Sequence, residues 1–231
     1  MDETVVFGGW GVEPELLMPL FGKEVRYVDI NILMPSLIER EQLRNDWVDI
    51  VLDKTGLIYG APTCIAGWST GAMIAYEVAK KKNPQNTFLL SATPCFCRKP
   101  AFKYGTRKSV LNQMIQTLCE NKTEVLSSFF ERCGIPFEKE NAEKYDTLQL
   151  KSGLVFLREA DLHPLTPLAN KPIFLNGRDD EIVPWTASVH FSEKAGGVYL
   201  DFPGPHAFFL DNSAEIVRSM IETVEFMDNL A

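Results

Sequence analysis

The pentapeptide Gly67-Trp68-Ser69-Thr70-Gly71 sets a serine between two glycines in the pattern G-x-S-x-G. A serine presented on a tight strand-to-helix turn adopts a strained backbone, and a side chain two positions to either side would collide where helix and strand approach, so glycine is required there for steric reasons. With 11 serines and 15 glycines in 231 residues, about 0.05 such matches would arise by chance. The plain alternative is a Gly-Ser turn without chemistry.

A serine hydroxyl is a weak nucleophile until a neighbouring base takes its proton, and histidine is the usual base near neutral pH. Three histidines exist. His206 stands in Phe202-Pro203-Gly204-Pro205-His206-Ala207, on a Gly/Pro loop beyond the last expected strand, at the sheet edge where open α/β sheets place their sites. His163 lies where an insertion returns to the core, and His190 falls inside a helix, where packing is the ordinary duty. A base of this kind needs an acid to hold its tautomer. The stretch Asn176-Gly177-Arg178-Asp179-Asp180-Glu181 offers three carboxylates; Asp180 is the first choice and Asp179 the next, with a solvated turn as the plain reading. A tetrahedral intermediate also needs donors for its oxyanion. The backbone N–H of Thr70 supplies one, and the Trp10 N–H, in Gly8-Gly9-Trp10-Gly11, is the candidate for the second.

These residues need elements to position them. Short apolar runs bounded by turn residues alternate with longer helical patterns, which predicts parallel strands joined by crossover helices. Strands are expected at residues 4–7, 25–30, 63–68, 87–91, 172–176 and 198–202, and helices at 36–54, 70–82, 184–194 and 213–230. In the last helix Ile216, Val217, Met220, Ile221 and Val224 recur at helical spacing and are expected to form one buried face. The alternation breaks between about Thr93 and Pro167, where three helical patterns follow one another. The chain therefore reads as one α/β domain over 1–231, a mostly parallel, doubly wound sheet with a helical lid insertion at about 94–166.

Composition narrows the partners. Twenty-three Lys and Arg against 31 Asp and Glu give a net charge of -8, which argues against nucleic acid or an anionic membrane. Residues 95–122 nevertheless sum to +5. The uncharged run 56–76 carries Pro62 and four glycines and makes a poor transmembrane helix. No secretory signal is visible, so cytoplasm is the expected compartment. The five cysteines encode neither a disulfide framework nor a zinc site; Cys95-x-Cys97 is expected to be a pair of free thiols, and neither metal nor cofactor is expected.

Over essentially its whole length the sequence resembles the α/β-hydrolase superfamily, which uses the chain order Ser69, Asp180, His206. Within it, Gly9-Trp10-Gly11, Gly67-Trp68-Ser69, Ser91-Ala92-Thr93-Pro94-Cys95-Phe96, Ser152-Gly153-Leu154 with Asp161-Leu162, and His206-Ala207 are similar to the corresponding stretches of the pimeloyl-carrier-protein methyl ester esterases of biotin synthesis. Two departures stand out: Gly8-Gly9 replaces His-Gly, and Asp29-Ile30-Asn31-Ile32 replaces a Pro-Gly-x-Gly loop. The resemblance implies an α/β-hydrolase fold and a serine carboxylesterase whose acyl chain lies between lid and core while basic lid residues hold an acidic acyl carrier protein. Arg98, Lys99, Lys103, Arg107 and Lys108 are the candidates for the carrier, and the net +5 segment favours an acidic partner independently. Phe96, Phe102, Phe129, Phe130 and Phe156 are the candidates for an acyl channel. A broad small-ester carboxylesterase or thioesterase would use the same triad, and a non-catalytic binding module could keep the fold.

Overall fold

The computed structural model describes residues 3–100, 102–210 and 214–228, with side chains as far as Thr223. The chain enters through β1 (Thr4–Phe7), a short helical turn and α1 (Met18–Phe21), then runs through β2 (Arg26–Val28), α2 (Ile30–Leu37), the hairpin β3 (Ile38–Glu39) and β4 (Gln42–Leu43), and α3 (Trp47–Lys54). It returns through β5 (Cys64–Trp68), α4 (Thr70–Lys82) and β6 (Asn86–Leu90). Four helices follow, α5 (Lys108–Glu120), α6 (Lys122–Cys133), α7 (Lys139–Glu143) and α8 (Thr147–Glu159), before β7 (Ile173–Gly177), α9 (Trp185–Ala195), β8 (Val198–Phe202) and α10 (Ala214–Asp228).

Six strands form one sheet in the order β2-β1-β5-β6-β7-β8, with every neighbouring pair parallel. All five residues of β5 and of β6 are buried, as expected of parallel strands covered on both faces. Helix α1 packs with α10, while α3 packs with α4 and the Tyr76 ring of α4 lies 4.8 Å from Phe191 of α9. The winding steps outward from β1 to β2 and then reverses to β5, so the direction changes between β1 and β5. Open α/β sheets bind ligands at the carboxyl ends of such a pair; here those ends are the loops carrying Gly8–Gly11 and Ser69–Thr70.

The helix expected over 36–54 divides in two. Asp29 starts a helix early, its Oδ1 accepting from the Asn31 N–H at 2.9 Å, and this also shortens the second strand. The chain then turns through Arg40 and Glu41, both with positive φ (49° and 61°), a conformation favouring a two-residue hairpin. Contacts with the insertion hold that turn: Lys151 pairs with Glu41 at 2.7 Å and Arg158 donates to the Glu41 carbonyl at 2.9 Å. Tertiary contact has overridden the helical pattern.

Helix α10 falls within the expected 213–230; Ser213 and residues 229–230 lie outside the described residues. Its buried stripe is narrower than expected, because Val217 and Ile221 are buried while Ile216 is 58% exposed. Adjacent residues on a helix point about 100° apart, so Ile216 cannot share the face of Val217. Met220 is half-buried, and the Val224 side chain lies outside the described residues. The insertion contains four helices rather than three, and its two ends are zipped together: Cys95 bridges to Asp161 and the Leu162 N–H donates to the Pro94 carbonyl at 3.0 Å. Among the described residues no helix is long and apolar enough to cross a membrane.

Candidate active site

Ser69 terminates β5 and opens α4 with φ 58° and ψ -119°, a strained conformation for a non-glycine residue. The two glycines are steric necessities. A Cβ on Gly67 would run into the Gly71 carbonyl, and one on Gly71 would run into the carbonyls of Phe7 and Gly8, so this turn packs directly against the end of β1.

His206 is wholly buried, with Nε2 at 2.8 Å from Ser69 Oγ and Nδ1 at 2.7 Å from Asp180 Oδ2. Its backbone is pinned as well: the Trp68 indole N–H and the Ser91 hydroxyl both donate to the His206 carbonyl, at 3.1 and 2.9 Å. The other carboxylate oxygen of Asp180 accepts from the N–H groups of Ile182 and Val183, each at 2.8 Å. A carboxylate with all its bonds aimed this way holds one imidazole orientation. Asp179 is exposed and accepts one long bond, 3.4 Å, from the Gly204 N–H. The geometry therefore brings Ser69, His206 and Asp180 together and leaves Asp179 out. Gly177 explains how close the two loops come, since a Cβ there would strike the carbonyls of Gly204 and Pro205.

Trp10 and Thr70 flank Ser69 on the wall of a cavity of about 300 Å³. Trp10 is gripped from both sides. Its indole N–H donates to the Leu150 carbonyl of α8 at 2.8 Å, and its ring meets Phe129 edge-on at 4.9 Å. Gly9 lets the loop lie on Trp68, whose ring a Cβ would approach to 2.6 Å. Apolar residues of the insertion, among them Phe96, Met114, Leu154 and Leu157, cover the cavity. Such a site can pass a proton from a hydroxyl to an imidazole beside a cavity lined by both apolar and polar side chains.

No family model matches the chain. Among curated proteins it is similar to a pimeloyl-[acyl-carrier protein] methyl ester esterase of Xylella fastidiosa (strain M23), 27% identical over 177 residues and covering 69% of each chain. A protein of the same name from Shewanella woodyi is 26% identical over 207 residues, covering 79% of this chain and 77% of its own. Among solved structures, an esterase from Exiguobacterium antarcticum superposes with a TM-score of 0.74 at 18% identity, over 97% of this chain and 92% of that one. The chain has the α/β-hydrolase fold.

The cavity takes up fewer of the expected phenylalanines than the sequence suggested. Phe96 and Phe129 line it; Phe102, Phe130 and Phe156 do not. Phe102 packs against Tyr104 and His190, each at 5.6 Å. Phe130, next to Phe129 on α6, is turned onto Phe137 at 5.4 Å, and Phe156, between the cavity-lining Leu154 and Leu157, is turned onto Trp47 at 5.2 Å. Successive side chains on a helix point about 100° apart, and at Phe130 and Phe156 that turn carries the ring away from the cavity.

The basic segment is also partly neutralised. Lys99 pairs with Asp161 at 2.7 Å and Lys108 with Glu159 at 3.1 Å. Arg98 donates to the Gly105 carbonyl at 2.6 Å, Lys103 lies 5.7 Å from the Tyr104 ring centroid, and Arg107 is exposed at the start of α5. His163 and His190 sit together at the root of the insertion, ring centroids 6.2 Å apart, with His163 Nδ1 at 2.5 Å from Asp161. Burial, and then the charge of His163, lower the pKa of His190. Neither ring joins the triad.

Three residues of the site escaped sequence reasoning. Ser91 fixes the His206 carbonyl, Arg132 on the cavity wall donates to the Glu181 carbonyl at 2.7 Å, and Asn31 is buried beneath the Trp10 loop. The one available signal was a polar residue in the glycine loop's facing segment, where Asn31 departs from the family pattern.

Proposed function

We propose that this protein is a serine carboxylesterase that hydrolyses the methyl ester of a pimeloyl group carried on an acyl carrier protein, in biotin synthesis in the cytoplasm. The observation that carries the reading is the unbroken line Ser69–His206–Asp180, at 2.8 and 2.7 Å, with Ser69 on the wall of the cavity. Likeness to the named methyl ester esterases supports the substrate.

In this reading Ser69 Oγ attacks the ester carbonyl as His206 Nε2 takes its proton, and Asp180 stabilises the imidazolium. The carbonyl oxygen becomes an oxyanion held by the Trp10 and Thr70 N–H groups. The C–O bond to the alcohol then breaks, and methanol leaves with the proton returned by His206. Water, deprotonated by the same imidazole, attacks the acyl-serine and frees the carboxylic acid together with Ser69. The acyl chain lies along Phe96, Phe129 and Leu154. The insertion acts as the lid, and Arg98, Lys103 and Arg107, which pair with no carboxylate among the described residues, face an acidic carrier.

Charge reversal tests the carrier. Glu at Arg98, Lys103 and Arg107 together is expected to lower kcat/KM on the carrier-linked ester at least tenfold and leave a short aryl ester unaffected. Equal rates on both substrates before and after reversal would instead favour a broad small-ester carboxylesterase or thioesterase with the same triad.

A further inference from the structure

Asn31 belongs to none of the roles given so far, yet its carboxamide is completely buried and uses both ends. Oδ1 accepts from the Gly11 N–H at 2.8 Å. Nδ2 donates to the carbonyls of Gly9 and Val12, both at 3.2 Å, and to Asp29 Oδ1 at 3.0 Å. These backbone groups bracket Trp10. The acceptor meets an N–H and the donors meet carbonyls, so the amide has one orientation and the loop one conformation that satisfies it. Asp29 passes the constraint outward: its Oδ2 accepts from the Tyr145 hydroxyl at 2.8 Å, and Tyr145, between α7 and α8, is itself buried. The insertion thus reaches the Trp10 loop twice, through Tyr145–Asp29–Asn31 and through the bond from Trp10 to Leu150.

We propose that Asn31 is a positioning residue for the oxyanion hole, and that the Tyr145–Asp29–Asn31 chain makes the placement of the Trp10 N–H depend on the seating of the helical insertion. This rests on the reading of Trp10 as an oxyanion donor. The need is physical. Gly8, Gly9 and Gly11 leave the loop's backbone little intrinsic preference, whereas an oxyanion donor must be held to within about 0.5 Å. Replacing Asn31 by an apolar residue orphans the Gly11 N–H and loosens two buried carbonyls, so the loop must rearrange to satisfy them.

The test compares wild type, Asn31→Leu, Asn31→Asp, Tyr145→Phe and Ser69→Ala on p-nitrophenyl butyrate, with intact sites counted by a fluorophosphonate and with a trifluoromethyl ketone as a mimic of the tetrahedral adduct. Asn31→Leu is expected to lower kcat per titrated site about 100-fold with KM within about threefold, and to weaken the ketone by a similar factor. Tyr145→Phe is expected to do the same on a smaller scale, about three- to tenfold. A merely structural role would lower the number of titrated sites and leave kcat per site and the ketone unchanged, which overturns the inference. If Asn31→Leu does not fold, Asn31→Asp decides, because it keeps the acceptor and loses both donors: undiminished kcat overturns the proposal, and a tenfold or greater loss at constant KM supports it. Ser69→Ala separates the two levels. An active Ser69→Ala removes the esterase mechanism itself, whereas an inactive one beside a fully active Asn31→Leu removes only the role of Asn31.

Discussion

The carbonyl of Cys133, at the end of α6, accepts a hydrogen bond from the N–H of Ala207 at 2.9 Å, which fastens the insertion to the residue after His206. Gly134 makes this possible, for it follows α6 with φ +76°, and a Cβ there would meet the Pro205 ring. Gly134→Ala is expected to destabilise the protein by about 1–3 kcal/mol and to lower kcat, because Pro205 cannot move without moving His206. Urea unfolding and ester turnover check this. Unchanged stability together with unchanged kcat would mean that the insertion and the His206 loop are not coupled.

Asp180→Asn and Asp179→Asn should separate sharply. Asp180 accepts three hydrogen bonds in a buried site, including the one to His206 Nδ1, so its amide variant is expected to lose about 10³–10⁴ in kcat. Asp179→Asn is expected to stay within about threefold of wild type, as an exposed group with one long bond should. A collapse of turnover in Asp179→Asn would contradict the assignment.

The clasp at the root of the insertion predicts a pH dependence of stability. Burial acts to raise the pKa of Asp161, but hydrogen bonds from Lys99 and His163 outweigh it and the net direction is down. A carboxylate whose pKa is lower in the folded than in the unfolded state stabilises the fold fully above its unfolded value, near about 3.9, and loses that contribution as pH falls through the folded value. The Tm gap between wild type and Asp161→Asn is therefore expected to be widest where the carboxylate is ionised in both states and to close as pH falls through and below the lowered folded value. A gap that widens on acidification would contradict the clasp.

Thiol chemistry offers an independent check on packing. Burial pushes the Cys95 thiol up to about 11, and burial together with the charge of Asp180 pushes Cys133 up as well. Cys64 and Cys97 are also buried, whereas Cys119 is exposed. Since the thiolate is the reactive form, a disulfide reagent at pH 8 is expected to titrate one thiol per native chain and five per denatured chain. Two or more fast native thiols would show that the sheet or the insertion does not pack as described.

The parts of this structure legible in the sequence are those with local causes. The strand, turn and helix around Ser69 follow from hydrophobic period and from the G-x-S-x-G spacing, in which Gly67 meets the nearby Gly71 carbonyl while Gly71 makes room for the distant end of β1. The hairpin at 38–43 was hidden because Lys151 and Arg158, more than a hundred residues away, stabilise its tip. The choice between Asp179 and Asp180 was open because the Ile182 and Val183 amides decide it in three dimensions. Lys99 and Lys108 looked like free cations because Asp161 and Glu159, which neutralise them, come from the far end of the insertion. Asn31 was noticed as a departure, but its purpose depends on carbonyls some twenty residues earlier.

The most direct test of the account is turnover of a pimeloyl-carrier-protein methyl ester and of a short aryl ester by wild type and Ser69→Ala side by side. Wild type is expected to cleave both, with clear preference for the carrier-linked ester, and Ser69→Ala is expected to lose at least about 10³ in kcat on both. A Ser69→Ala protein as active as wild type would contradict it.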